Sequence, residues 1–158
     1  MPFVPSIGSY PESALPALTY SEKLSIYQGN EAIELLHFPN AYTDGDTAVH
    51  FKDSNVIHAG DILFSKMYPF IDTNNGGDLY GFIAAQEALL ALTDDQTKII
   101  PGHGPLSNKA AMEQDLKMLK KIVAIVEEEL ADNKTPEQIA MHPTVQGYDA
   151  SSLIRQLN

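Results

Sequence analysis

Two short stretches of this sequence combine metal-binding or acid-base side chains with backbone that can expose them. The first is Pro101-Gly102-His103-Gly104-Pro105, where glycine on both sides leaves room around an imidazole and the prolines force a sharp loop. The second is Gly60-Asp61, which ends the run Asn55-Val56-Ile57-His58-Ala59-Gly60 and so carries a carboxylate at the tip of a buried strand. A neutral imidazole and a carboxylate are ligands for zinc and act in proton transfer. The chain has no cysteine, so disulfides, thiolate ligands and thiol nucleophiles are excluded together, and any metal must rely on His and carboxylates.

The other histidines read differently. His37, His50 and His58 fall in strand-like runs, where a lone imidazole is more often packed and hydrogen-bonded than ligating, and His142 stands beside Pro143 without chemical company. Asp44 and Asp46 flank Gly45, a setting in which Asp usually bonds nearby backbone N–H groups in a turn. Asn133-Lys134-Thr135 fits a glycosylation sequon, a pattern too short to carry weight.

The elements that must position these residues divide the chain in two. Residues 1–16 hold Pro2, Pro5, Pro11 and Pro16 and read as an extended lead-in, and residues 17–158 read as one domain. Runs at 17–27 and 31–38 flank Gln28-Gly29-Asn30 and predict a β-hairpin, and 47–51 and 55–59 predict two further strands joined by Lys52-Asp53-Ser54. From Leu79 the period changes: Leu79, Phe82, Ile83, Gln86, Leu89 and Leu90 share one helical face behind the capping residue Asp78. A short strand at 97–100 leads into the loop at 101–105. A long helix follows between Asn108 and Asn133, with Met112, Leu116, Leu119, Ile122, Val123, Val126 and Leu130 as its apolar stripe. Thr135-Pro136-Glu137-Gln138 has the form of a capping box opening another short helix, and residues 151–157 are expected to add a final turn or two.

The formal net charge of −11 argues against a nucleic-acid partner, because that affinity depends on Lys and Arg neutralising phosphates. No apolar run is long enough to span a bilayer, and Met1-Pro2-Phe3-Val4-Pro5-Ser6 has no basic region followed by an apolar one, so no membrane is expected and a cytoplasmic location is the default.

Four blocks in order resemble the metallo-β-lactamase superfamily: Asn40-Ala41-Tyr42-Thr43-Asp44-Gly45-Asp46-Thr47, Asn55 to Asp61, Tyr68 to Asp72 followed by Gly76-Gly77, and Ile99 to Pro105. The likeness runs from about Leu15 to Tyr148 and is greatest to the broad group of small metal-dependent hydrolases known mainly by fold. The resemblance implies that Asp61 matches a carboxylate bridging two metal ions and His103 an imidazole on the second. Thr43, Asp44, Asp46 and Tyr68 would belong to loops around that site. At the position of an imidazole on the first metal this chain has Tyr42. A phenol, with a pKa near 10, must lose its proton to become a comparable ligand, so an uncharged ring filling the vacated space is the expectation.

The family's His-x-His-x-Asp-His block occurs nowhere in this sequence. What the resemblance therefore implies is an α/β fold equal to the C-terminal half of an αββα sandwich, a mixed sheet with helices on one face. A zinc site would be vestigial or completed in trans, with no tightly bound metal expected on the lone chain. The open sheet face would be covered in a homodimer or by a separate N-terminal half-domain. The function expected is non-catalytic, with a zinc-dependent ester, thioester or lactone hydrolase completed by a partner as the alternative.

Overall fold

The computed structural model describes residues 11–145. The final helical turn expected at 151–157 lies outside them, as does most of the lead-in. Six strands form one sheet in sequence order: β1 (Lys23–Gln28), β2 (Glu31–Phe38), β3 (Asp46–Phe51), β4 (Val56–Phe64), β5 (Lys98–His103) and β6 (Ser107–Asn108). All neighbours pair antiparallel except β4 and β5, which are parallel and joined through helix α1 (Leu79–Leu90). Helices α2 (Lys109–Ala131) and α3 (Pro136–Ala140) follow, and short 3-10 turns lie at Glu12–Ala14 and Thr73–Asn75.

Each helix begins where its cap is encoded. Asp78 accepts from the Gly81 N–H at 2.8 Å, Asn108 from Ala111 at 2.9 Å, and Thr135 with Gln138 closes the capping box. The stripe read in α2 is the stripe that is buried: Met112, Leu116, Leu119, Ile122, Val123 and Val126 all face inward. Together with Leu79 and Phe82 of α1 and Ile139 of α3, the C-terminal part of that stripe forms one core cluster. A second cluster joins Ala48, Ile57, Ala59 and Ile99 of the sheet to Ala85 and Leu89 of α1 and Met112 of α2.

Strand register shows what those clusters leave bare. Ile57 is opposite His50 and Ile99, so these three share the helix-covered face. The alternate positions point the other way: Leu24 opposite Leu35, Ile26 opposite Ile33, Leu35 opposite Val49, Ile33 and Val56 opposite Phe51, and His58 opposite Ile100. None of these residues enters either core cluster, and Ile26 and Ile100 are 42% and 37% exposed. The sheet thus has one helix-packed face and one apolar face without a cover among the described residues.

The largest departures from the sequence reading are at three strand ends, and the short β6 was not expected. β1 begins at Lys23 rather than Ala17, because Tyr20 and Ser21 bond side chains, Thr47 Oγ1 and the His37 ring, in place of the β2 backbone ladder. β4 runs on to Phe64, past a register shift at Gly60, where the backbone takes φ +55°. β5 includes Pro101 to His103, because Pro101 pairs at that same irregularity, where a missing N–H is tolerated.

Candidate functional site

The site assembles where β4 and β5 lose regular pairing. Asp61 does not end its strand but follows the bulge at Gly60, and a bulge re-aims the side chains beside it. His103 closes β5 opposite Phe64. The result brings Asp61 Oδ1 within 3.4 Å of His103 Nε2, with the two side chains 34% and 54% exposed. Gly102 makes this approach possible: a Cβ there would lie 2.1 Å from Asp61 Oδ1 and 2.7 Å from the Gly60 carbonyl. No side chain larger than hydrogen fits between the two strands at that point.

The second part of the site is aromatic. The His103 imidazole stacks on Phe64 with ring centroids 4.7 Å apart, Phe64 meets Tyr42 at 6.0 Å, and Tyr42 meets Phe70 edge-on at 6.2 Å. Tyr42 is therefore packed between rings, and Tyr68 and Phe64 join it against the helical core. Burial pushes the Tyr42 phenol above its ordinary pKa, and the carboxylates of Asp61, Asp72 and Asp46 push it further by opposing a second negative charge. The ring holds its proton, as an uncharged space-filling group does.

The β2–β3 loop carries Tyr42, Thr43 and Asp44. Its backbone is tied down by Asp72, whose N–H donates to the Tyr42 carbonyl at 2.9 Å, and by the Asp44 N–H, which donates to the Asn75 carbonyl at 2.9 Å. Asp46 Oδ2 accepts from the Thr43 N–H at 2.6 Å, the turn bond that the Asp-Gly-Asp pattern suggests. Burial raises the Asp46 carboxyl above the usual range although the Thr43 bond opposes this. Asp44 contributes its backbone carbonyl, which lies 2.8 Å from His37 Nε2.

The remaining histidines are structural in placement. His58 Nδ1 accepts from the Gly60 N–H at 3.1 Å and so helps shape the bulge. His50 is buried on the helix side, where burial lowers its pKa. His142 Nδ1 accepts from the Thr144 N–H at 3.2 Å.

Of the sequence-derived site residues, the structure brings Asp61 and His103 into contact and links Tyr42 to them through Phe64. Thr43, Asp44 and Asp46 frame the adjoining loop, and Tyr68 packs against the helical core cluster. Phe64 was not legible as a site residue, since an apolar ring at a strand end reads as core, whereas Phe70 lies inside the Tyr68 to Asp72 block.

A metal of the kind the resemblance implies needs about three or four protein donors. Among the described residues no three His, Asp or Glu side chains converge to hold one. The donor set within this chain does not fit such a group.

No family model matches the sequence, and no curated protein matches it. Solved structures do. A metallo-β-lactamase family protein from Thermus thermophilus is 20% identical with a TM-score of 0.63, the match covering 90% of this chain and 49% of that one. A metallo-β-lactamase from Pontibacter korlensis is 16% identical with a TM-score of 0.57, over 66% of this chain and 49% of that one. A protein solved in a di-iron-bound form is 23% identical with a TM-score of 0.53, over 66% and 49%. At these identities the likeness is one of fold, and the chain spans about half the length of each structure it matches. The mixed six-stranded sheet with its one-sided helices is thus an α/β architecture corresponding to part of the metallo-β-lactamase fold.

Proposed function

We propose that this chain is an assembling unit of the metallo-β-lactamase fold with no hydrolytic activity of its own, and that it associates through its uncovered sheet face. The observation that carries the reading is the pairing of an incomplete donor set with an apolar sheet face. Asp61 and His103 are two donors where about three are needed, and Leu24, Ile26, Leu35, Val49, Phe51 and Ile100 line a face that no helix covers among the described residues. Contiguous exposed apolar surface of this kind favours burial against another sheet, which packs face to face at about 10 Å. A second copy of this chain, or a separate chain with a matching sheet, supplies that cover.

One observation favours a second reading, in which the partner also adds ligands and the assembled site is a zinc-dependent hydrolase. Asp61 Oδ1 and His103 Nε2 point at one another from adjacent strands at 3.4 Å, both partly exposed. Three measurements on the purified chain separate these ideas: multi-angle light scattering over a dilution series, zinc content after dialysis, and hydrolysis of simple ester and thioester substrates. The first reading expects association and neither zinc nor turnover. A well-folded monomer at every concentration removes the assembly claim. Stoichiometric, firmly held zinc with turnover by the pure chain removes the inactive one.

A further inference from the structure

The His37 ring lies between two backbone carbonyls. Its Nδ1 is 2.7 Å from the Ser21 oxygen on the segment entering β1, and its Nε2 is 2.8 Å from the Asp44 oxygen on the β2–β3 loop. A carbonyl oxygen only accepts, and a neutral imidazole has a single N–H. A neutral ring would leave one nitrogen lone pair facing an oxygen lone pair at hydrogen-bond distance. Only the doubly protonated imidazolium makes both bonds.

We infer that His37 is a protonation-dependent clamp, which as an imidazolium ties the segment entering β1 to the loop carrying Tyr42 and Asp44, and which lets go of one of them on losing a proton. The clamp sits on β2 at the uncovered face, opposite Thr47, and Thr47 Oγ1 bonds the Tyr20 hydroxyl at 2.7 Å, so the same corner is fastened twice. The charges that act on it favour a cation: Asp44 on the loop and Asp46 at the start of β3, while the Glu22 carbonyl accepts from the His37 backbone N–H at 2.9 Å. The two carbonyl bonds raise the imidazole above its ordinary pKa, with burial opposing them.

The sign follows from linkage. A histidine whose folded pKa is raised contributes stability that is complete below its unfolded value, about 6.5, and is lost as pH rises through the folded value. Both carbonyl tethers are therefore held at mildly acidic pH, and one of them is lost as pH rises through the folded value.

The test uses the whole chain. Nitrogen-15 NMR of the imidazole reports directly how many ring nitrogens carry protons, and amide exchange, corrected for its intrinsic pH dependence, reports protection at residues 43–46 and 20–22. The clamp requires two protonated nitrogens on His37 at about pH 6.5, a midpoint above that of an exposed histidine, and protection that falls about fivefold across the midpoint, the size of one hydrogen bond. His37→Gln, whose amide does not titrate, should keep the fold and abolish the pH step. A singly protonated ring at that pH, protection that does not change across the midpoint, or a pH step that survives in His37→Gln each overturns the inference.

Discussion

Tyr42 fills space beside the Asp61–His103 pair while its backbone holds the loop in place. Its backbone carbonyl accepts from Asp72, its ring fills space between Phe64 and Phe70, and burial, helped by nearby carboxylates, raises its phenol above the ordinary pKa. Placing an imidazole there tests whether this position can join Asp61 and His103 in holding a metal. Tyr42→His adds a third donor near Asp61 and His103, and zinc affinity measured by calorimetry should rise at least tenfold, about 1.4 kcal/mol. Unchanged affinity would mean that the three positions do not converge. At this scale the sequence was informative about residue types, since His103 and Asp61 stood out by their glycine-flanked settings. It was uninformative about contact: the 3.4 Å approach depends on a bulge and on Gly102, neither of which has a periodic signature.

The elements were legible wherever period and capping agreed. Asp78, Asn108 and Thr135 mark helix starts that the structure reproduces, because the capping bond is local and needs no tertiary partner. Strand ends were less legible because tertiary pairing sets them, as the lengthened β4 and the late start of β1 show. Helix α1 offers a test in which local and tertiary preferences oppose each other. Gly81 lies inside it, and Ala would gain about 1 kcal/mol in helix propensity. A Cβ at that position would lie 1.9 Å from the Asn40 carbonyl oxygen, which belongs to the site loop. The backbone clash outweighs the propensity, so Gly81→Ala should destabilise the fold by about 2 kcal/mol in urea unfolding. A gain in stability would show that the loop yields freely to the helix.

Across the whole molecule the dominant asymmetry is between the two faces of the sheet. Substituting both Ile26 and Ile100 by Lys places charges on the uncovered face at positions already 42% and 37% exposed, so the chain's own core is untouched. The double variant should remain folded by circular dichroism and sediment as a monomer at concentrations where the wild type associates. Equal association by both proteins would locate the contact elsewhere. The sequence foretold this face only through the family resemblance, since alternation in β1 to β4 reveals which residues share a side but not which side the helices choose.

The one parallel pairing in the sheet sets an order of events during folding. Strands β1 to β4 form a meander whose turns are short, and such contacts close quickly, whereas β5 reaches β4 only after the chain has returned through α1. Asp61 lies on the early part and His103 on the late part. The two chemically interesting side chains therefore meet last, and pulse-labelled amide exchange should find the meander protected while residues 98–103 are still open.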